Sequence, residues 1–318
     1  MSQFKTTWQD SVVDYDDNRP TERIREFPRP IQNVMDDGVK VFNDIKHEKL
    51  PFPINRSKLE TVLNYINMMA PNGGNLREII GSDFVTSAGA LTHIVKSLTN
   101  QNTHYACAVK RNGVIFLVAK SVEPVKHSAR CLDNRNNGSF DNEYESERYN
   151  FEKYLMIPHT RNNDIRKFHQ NILKATLSST NDDIGIYYSA DFGLMDNGEF
   201  IEVKGRSVLN EKWKNHISFI WYTRSIISDI SKTFYLEAES QHGRKIKSMK
   251  TEQIPIAAIN SWDPKLPINL LQKFLIFLKK ELTEDNKPIE YNFDTKTITH
   301  VDPSQVDYLP KSFFERFH

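Results

Sequence analysis

The sequence predicts an α+β fold, a single mixed α/β domain in which central β-sheets are flanked by helices. Short segments with a strand pattern are joined by tight turns, and amphipathic segments with helical spacing lie between them. Hydrophobic residues make up 38% of the 318 residues and aromatic residues 11%, which suffices for a sizeable core. The length of the chain excludes a fibre or a disulfide-stabilised miniprotein. There is no internal repeat, so we expect one folded domain.

The charge balance and the cysteine content exclude further classes of protein. Lys plus Arg number 42 and Asp plus Glu 41, which leaves a net charge of +1 and no global field toward nucleic acid or membrane. Any nucleic-acid site must therefore be local. Cys107 and Cys131 have no metal-ligand spacing, which predicts a reducing compartment and no zinc. Without a secretion signal or a long apolar segment, we expect a cytosolic or nuclear protein with no membrane partner.

The first 56 residues are predicted to form an extended N-terminal arm that packs on the core. Charged residues and prolines are frequent in this segment, and the prolines prevent long helices. Residues 57–318 are predicted to form the main domain. The prolines of the arm are Pro20, Pro28, Pro30, Pro51 and Pro53.

The main domain is predicted to start with a helix at 57–70, because apolar residues fall on one helical face and Ser57 can cap the N-terminus. Strands follow at 84–86, 105–110 and 114–119, with a hairpin turn at Arg111-Asn112-Gly113 between the last two. Residues 131–147 are polar and turn-rich, which predicts an exposed loop. Further helices are predicted at 149–155, 165–177, 213–230 and 268–282, and further strands at 184–194, 200–204, 233–239 and 244–250.

The segment 184–206 contains the residues most suited to chemistry. Alternation along its first strand places Asp191 on the face away from the apolar residues. Asn197-Gly198 between two strand patterns predicts a hairpin with a two-residue turn, which fixes the register. The predicted cross-strand pairs are Asp196–Glu199, Gly193–Glu202 and Asp191–Lys204. We therefore expect Asp191, Glu202 and Lys204 on one face of this hairpin.

An acidic residue on one strand, followed by Glu-x-Lys on its hairpin partner, is typical of metal-dependent nucleases of the restriction-endonuclease-like class. In such sites carboxylates hold Mg²⁺ or Mn²⁺ against a phosphate, and the lysine orients or deprotonates the attacking water or stabilises developing charge. The alternative interpretation is an exposed cross-strand Asp–Lys pair that contributes roughly a few tenths of a kcal/mol.

Four sequence blocks resemble the DXO family of RNA 5′-end decapping and exonuclease proteins, over most of the chain from about residue 84 onward. The blocks are Phe84-Val85-Thr86-Ser87-Ala88-Gly89 with Leu91-Thr92-His93-Ile94, Tyr149-Asn150-Phe151-Glu152, Tyr188-Ser189-Ala190-Asp191-Phe192-Gly193, and Phe200-Ile201-Glu202-Val203-Lys204. The resemblance implies a catalytic set of Glu152, Asp191, Glu202 and Lys204, whose three carboxylates would hold Mg²⁺ or Mn²⁺. It also implies single-stranded RNA 5′ ends as the ligand and a nuclear location.

Three positions depart from the family pattern that this resemblance implies. Ala88 stands where the family has an arginine for the RNA 5′ end or backbone, and Gly193 stands where it has the second metal carboxylate. His216, or Asn215 after a shift of one residue, stands in place of a family glutamine. We therefore expect a remnant site with absent or strongly reduced catalysis and no cofactor. In a competing alignment Asp191 replaces the missing carboxylate, which leaves an active site that needs Mg²⁺ or Mn²⁺.

The loss of active-site residues in a DXO-like chain resembles a germline paralogue of this family in the insect piRNA pathway. This resemblance implies a nuclear pseudoenzyme that binds or shields RNA 5′ ends and protects nascent transcripts from decay or termination. Chromatin-bound adaptor proteins are its implied protein partners. Two alternatives stay open: an active metal-dependent RNA decapping pyrophosphohydrolase and 5′→3′ exonuclease, and a protein-interaction platform without RNA.

A basic segment follows the second block and is the predicted RNA-binding groove. Arg161, Arg166, Lys167 and Lys174 could contact RNA phosphates along it, with residues 165–177 predicted to be helical. The alternative interpretation is that these residues form the solvated polar face of a mixed-charge helix.

Overall fold

The computed structural model describes residues 3–14, 20–21, 58–99, 104–121, 169–178, 183–191, 194–196, 199–207, 209–238, 244–259, 261–303, 306 and 309–317. Within these ranges the chain forms a single mixed α+β domain, as the sequence predicts. None of the helices in these ranges combines the length and the apolar character that crossing a membrane requires.

The secondary-structure elements are numbered in chain order. The strands are β1 (Gln3–Asp14), β2 (Pro20–Thr21), β3 (Phe84–Ser87), β4 (His104–Arg111), β5 (Val114–Ser121), β6 (His169–Ser178), β7 (Ile184–Asp191), β8 (Leu194–Asp196), β9 (Glu199–Ser207), β10 (Lys232–Ala238), β11 (Arg244–Lys250), β12 (Ile289–Asn292) and β13 (Thr297–His300). The helices are α1 (Lys58–Met69), α2 (Leu76–Ile80), α3 (Ala88–Thr99), α4 (Ser218–Ile227), α5 (Gln253–Ala257), α6 (Leu266–Glu281) and α7 (Lys311–Phe314). A π-helix, Trp213–Ile217, leads directly into α4.

A nine-stranded sheet forms the centre of the domain, with the strand order β13-β12-β4-β5-β3-β7-β6-β1-β2. β3 pairs in parallel with β5 and β7, whereas β4 with β5 and β6 with β7 pair antiparallel. The β4–β5 hairpin closes at Asn112 and Gly113, whose φ angles of 48° and 73° suit a two-residue turn. This predicted hairpin is therefore confirmed.

Helices cover both faces of the nine-stranded sheet. On one face α3, α4 and α6 pack against the strands around Phe84 and Tyr188. On the other face α1, α2 and α7 pack around Val85 and Tyr187. Consecutive strand residues point to opposite faces, so β3 and β7 are buried on both sides. The expectation of a single apolar face for β7 is therefore wrong, since Tyr187 is also in a hydrophobic core.

A smaller four-stranded sheet has the order β11-β10-β9-β8. β8 and β9 form the predicted tight hairpin, and the predicted pair Asp196–Glu199 is confirmed. β9 then pairs in parallel with β10. α4 lies between the two sheets: Phe219 and Ile227 belong to the core of the large sheet, whereas Trp221 packs against the small one. α4 is therefore the element that joins the candidate site to the main core.

The predicted helix at 165–177 is wrong in its described part, because His169–Ser178 forms strand β6. Leu173 and Leu177 face one hydrophobic core and Ile172 faces the other. A strand covered on both faces carries apolar residues on both, and their spacing then imitates that of a helix. Tertiary packing, which the sequence pattern does not contain, decides the outcome here.

The predicted strand at 184–194 is two strands, because β7 ends at Asp191 in the large sheet and β8 begins at Leu194 in the small one. The predicted helices at 57–70, 213–230 and 268–282 are confirmed, although a π-helix forms the first part of the second. The β12–β13 hairpin, which extends the large sheet through β4, and helix α7 were not predicted from the sequence. The predicted elements at 131–147 and 149–155 lie outside the described residues.

The described part of the N-terminal arm is strand structure. β1 pairs antiparallel with β6 and β2 pairs with β1, so both lie at one edge of the large sheet. The remainder of the arm lies outside the described residues, and the boundary at residue 56 stays a prediction.

Asp83, directly before β3, forms hydrogen bonds and ion pairs with residues of three other elements. Its Oδ1 accepts hydrogen bonds from Arg77 Nη2 at 2.8 Å and Lys279 Nζ at 3.1 Å, and Oδ2 accepts from the N–H of Gly185 at 2.8 Å. Burial alone would raise the pKa of Asp83, but these three donors together outweigh burial and hold the pKa below its ordinary value. These contacts of Asp83 connect α2, β7 and α6 to β3.

Candidate functional site

The centre of the candidate site is the Glu-x-Lys pair of β9. Glu202 and Lys204 are two residues apart and lie on one face of the strand, while Ile201 and Val203 are fully buried on the other. Lys204 Nζ donates a hydrogen bond to Glu202 Oε1 at 2.5 Å. The side chains are 2% exposed for Glu202 and 11% for Lys204, so water screens their attraction only weakly. The structure brings these two residues together, as the register predicts.

A second cation, Arg224 of α4, reaches the same carboxylate. Its Nε lies 2.8 Å from Glu202 Oε1, so a guanidinium and an ammonium group share one oxygen. Sequence reasoning missed Arg224. The available indication was that it is the one charged residue of Ser218–Ile227, a helix whose other residues are uncharged and often aromatic.

Two hydrogen bonds hold α4 at its two ends. Tyr188 Oη donates to the carbonyl of Ile227 at 2.6 Å, and Trp262 Nε1 donates to Ser218 Oγ at 2.9 Å. Burial raises the pKa of Tyr188 well above its usual value, and the nearby Asp229 adds to the shift, so the phenol stays protonated and able to donate. Arg224 is therefore carried by a helix that is anchored to the core.

Aromatic rings form the wall beside Lys204. The Trp221 ring centroid lies 6.0 Å from Lys204 Nζ, and Trp221 contacts Trp213 and Tyr235 with centroid separations of 5.7 Å each. Trp213 begins the π-helix, a form that often occurs at functional sites. Burial raises the pKa of Tyr235 to about 12, so its phenol is neutral at physiological pH. The lysine thus lies against an uncharged aromatic surface.

The backbone of Asp191 does not form the predicted pair with β9, and the Asp191 side chain lies outside the described residues. Its backbone ends β7, where it pairs with Gln170 of β6. The predicted pairing of Asp191 with Lys204 is wrong, because β7 and β9 belong to different sheets and the chain passes from one to the other after Asp191. Glu152 and Gly193 lie outside the described residues, so the predicted pair Gly193–Glu202 stays a prediction.

The other predicted site residues are dispersed. Ala88 begins α3 and is buried in the core of the large sheet. His216 and Asn215 lie exposed on the π-helix. Lys174 is half-buried on β6, and its Nζ donates to the carbonyl of Ile80, the last residue of α2, at 3.3 Å. Arg161, Arg166 and Lys167 lie outside the described residues.

The side chains that the structure describes do not by themselves form a metal centre. Among them there is no group of three or more His, Cys, Asp or Glu residues that could hold a metal ion. Glu202 is the one predicted metal ligand whose side chain is described, and two cations already contact its Oε1.

A comparison with known proteins identifies a sequence relative. The chain is 25% identical, over 286 residues, to the decapping nuclease dom-3 of Caenorhabditis elegans, and the match covers 82% of this chain and 71% of that protein. No protein-family model matches the sequence.

The structure of this chain superposes on solved structures that have the same architecture. Scheffersomyces stipitis Rai1, in complex with (3'-NADP)+ and calcium ion, matches with a TM-score of 0.74 at 12% identity, covering 99% of this chain and 97% of that chain. Candida albicans Rai1, in complex with pU5-Mn2+, matches with a TM-score of 0.72 at 14% identity, covering 99% and 96%. The chain therefore has the fold of Rai1. The predicted fold class is confirmed, and these relatives support the resemblance to the DXO family.

Proposed function

We propose that this protein is a DXO-like protein that binds the 5′ ends of single-stranded RNA without cleaving them. The site is the cluster of Glu202, Lys204 and Arg224. The observation that carries the proposal is the sharing of Glu202 Oε1 by two cations, within the fold of Rai1. Lysine and arginine side chains suit a terminal phosphate, because charge-assisted hydrogen bonds from Lys and Arg to phosphate are strong.

The solved relatives support a nucleotide ligand. Candida albicans Rai1 is in complex with pU5-Mn2+, and Scheffersomyces stipitis Rai1 with (3'-NADP)+ and calcium ion. A ligand of this kind carries phosphates and a base. In this chain the phosphates would meet Lys204 and Arg224, and the aromatic wall of Trp221 lies beside them.

The proposed lack of catalysis rests on three residues. Ala88 is a buried core residue and brings no positive charge to the position of the family arginine. Gly193 has no carboxylate for a second metal contact. Arg224 neutralises Glu202, so a divalent ion would have to compete with a guanidinium that is already in place.

An active decapping nuclease is the second candidate function. It is favoured by the retained Glu202 and Lys204, which lie in contact on β9, and by a relative that is a decapping nuclease. In that case Asp191 and Glu152 would complete the ligand set for Mg²⁺ or Mn²⁺, and Lys204 would orient the attacking water.

The cellular part of the proposal rests on the sequence resemblance. We propose a nuclear protein, recruited by chromatin-bound adaptor proteins, that shields nascent transcripts such as piRNA precursors from decay or termination.

An RNA cleavage and binding assay tests the choice between the two functions. The purified protein is incubated with 5′-triphosphate, unmethylated-cap and 5′-monophosphate RNAs, in Mg²⁺, in Mn²⁺ and in EDTA. The variants are Glu202→Gln and Gly193→Asp, with Glu284→Gln as a matched control because Glu284 is an exposed carboxylate paired with Lys287. We expect binding that weakens steeply with salt and no product from the wild type.

Each outcome decides between the candidates. Turnover by the wild type and by Glu284→Gln that Glu202→Gln abolishes would establish the active nuclease and overturn the non-catalytic proposal. Turnover that appears only in Gly193→Asp would support a site that has lost one carboxylate. Absence of binding to every RNA would overturn both candidates and favour a protein-interaction platform.

A further inference from the structure

We infer that a cleft on the side of α4 opposite to Arg224 binds a primary ammonium group carried on an aliphatic chain, as in a lysine side chain or a polyamine. The inference goes beyond the proposed RNA function and does not depend on it. The lining of this cleft includes Tyr222, Ser225, Ile226, Asp229, Ile230 and Ile268.

The first step is the position and the size of the cleft. Its volume is about 370 Å³, which lies in the range of small-molecule sites. Tyr222, Ser225 and Ile226 are three and four residues apart, so they share one face of the helix. Arg224 follows Tyr222 by two residues, or about 200° around the helix, which places it on the other face. The cleft is therefore separate from the candidate site at Glu202.

The second step is a buried hydroxyl group without a hydrogen-bond partner at this cleft. Ser225 is fully buried and lines the cleft, and its Oγ has no donor or acceptor in hydrogen-bond range within the described part of the chain. Ser218 and Thr223 of the same helix behave differently, because each hydroxyl donates to the carbonyl four residues earlier at 2.7 Å. A buried polar group without a partner lowers stability, so a ligand contact accounts for Ser225 better than a structural role does.

The third step is the sign of the charge. Asp229 carries the one charge among the described residues of the lining, and no cation of the described chain pairs with its exposed carboxylate. Two lysines close to the cleft in sequence have other contacts. Lys250 Nζ lies 3.9 Å from Glu252 Oε1, and Lys232 Nζ lies 5.8 Å from the ring centroid of Phe234. An unpaired carboxylate at the rim of a cleft attracts a positively charged ligand.

The fourth step is the apolar part of the lining, which favours a ligand with an aliphatic chain. Ile230 and Ile268 are buried and Ile226 is partly buried. Burial raises the pKa of Tyr222, so the phenol in this lining is uncharged at physiological pH. A methylene chain would lie against these side chains while its ammonium end meets Asp229, in the way that lysine side chains cover apolar surface.

The experiment compares the binding of n-butylamine with that of the uncharged 1-butanol at pH 7, where the amine is protonated. Amide resonances of the full chain are followed by NMR during each titration. We expect the amine to bind about fivefold more tightly than the alcohol, because only the amine pairs with Asp229. From ethylamine to n-butylamine each added methylene should raise the affinity about threefold to fourfold, and a series of equal affinities would overturn the apolar contact.

Asp229→Asn tests the carboxylate. The substitution keeps the shape of the side chain, and asparagine tolerates the φ of 56° at this position as aspartate does. We expect it to weaken the binding of n-butylamine about fivefold. Asp294→Asn, at an exposed aspartate between β12 and β13, is the matched control and should bind the amine like the wild type.

Ser225→Ala gives a readout that a structural hydroxyl would not give. We expect weaker amine binding together with a melting temperature equal to or above that of the wild type, because a buried oxygen without a partner is removed. Ser97→Ala is the control, since Ser97 Oγ donates to the carbonyl of His93 at 2.9 Å. It should melt at a lower temperature and bind the amine normally. A Ser225→Ala variant that loses stability and binds the amine normally would overturn the role of this hydroxyl.

Two further ligands distinguish the sources of the ammonium group. Nα-acetyl-lysine N-methylamide represents the lysine side chain of a protein, and spermidine represents a free polyamine. Tighter binding of the lysine derivative supports a protein ligand, whereas tighter binding of spermidine supports a polyamine.

Three results would overturn the inference as a whole. They are the absence of binding by every amine, equal binding of amine and alcohol, and undiminished binding by Asp229→Asn. Each of them would leave the proposed RNA function intact, because the cleft and the Glu202 site lie on opposite faces of α4.

Discussion

Replacing Glu202 by glutamine tests whether this carboxylate is the electrostatic centre of the site. The substitution preserves the shape of the side chain and removes its charge. Lys204 and Arg224, which are 11% and 27% exposed, would then share an uncharged amide. Because breaking a buried ion pair leaves charge uncompensated, we expect the free energy of unfolding to fall by about 3 kcal/mol.

Making Glu202→Gln in a protein that also carries Arg224→Gln measures the coupling free energy between Glu202 and Arg224. Arg224→Gln alone should cost about 1 kcal/mol, because Lys204 still compensates Glu202 and the arginine is partly exposed to screening water. In the double variant both groups are uncharged, so no arginine charge is left without its carboxylate. The total loss should therefore be about 3 kcal/mol rather than the additive value of about 4 kcal/mol.

Equilibrium unfolding in urea, followed by tryptophan fluorescence, measures the four proteins of this cycle. Trp213 and Trp221 lie beside the site and report on its packing. Glu284→Gln, at an exposed ion pair, should change stability by less than about 0.5 kcal/mol and serves as the control. Additive losses, or a Glu202→Gln variant as stable as the control, would refute the view that Glu202 and Arg224 are directly coupled.

Three further substitutions test the scaffold around the site. Asp83→Asn should lower the free energy of unfolding by about 2 kcal/mol at neutral pH. Because the pKa of Asp83 is lowered in the folded protein, the stabilisation by its carboxylate is complete above about pH 4 and is lost as the pH falls further. The difference in stability between the variant and the wild type, measured by urea unfolding, should therefore shrink toward about pH 2. Tyr188→Phe leaves the buried carbonyl of Ile227 without its donor and should lower the free energy of unfolding by about 1–3 kcal/mol, and unchanged stability would show that this bond does not hold α4. Gly73→Ala should lower the melting temperature sharply, because Gly73 has a φ of 73° and a Cβ would lie 1.7 Å from the carbonyl oxygen of Arg316; a melting temperature equal to wild type would contradict that geometry.

The sequence predicted those parts of the fold that depend on local chemistry. The turn at Asn112 and Gly113 belongs to one predicted hairpin, because turns with positive φ select few residue types. The pair Asp196–Glu199 belongs to the other. The helices α1 and α6 follow from a single apolar face. The contact between Glu202 and Lys204 follows from the alternation of a strand.

The pattern of apolar and polar residues did not predict the strands that are buried on both faces of the sheet, because such strands have no polar face to contrast with the apolar one. For this reason the apolar residues of β6 had the spacing of a helix, and a helix was predicted there. β7 was predicted to continue into the hairpin with β9, but the two strands belong to different sheets. The passage of the chain from the large sheet to the small one after Asp191 depends on which strands become neighbours. Pairing between distant strands is a tertiary property, so the predicted partner of Asp191 was wrong.

By itself the sequence determined the α+β class, the tight hairpins and the Glu202–Lys204 pair. The tertiary structure alone decided that Arg224 meets the same carboxylate. That contact requires α4 to dock between two sheets, anchored through Tyr188 on one of them, and such docking follows from the packing of the whole core. Alternation and turn chemistry are visible in neighbouring residues, whereas the meeting of two residues from separate elements is decided only when the core assembles.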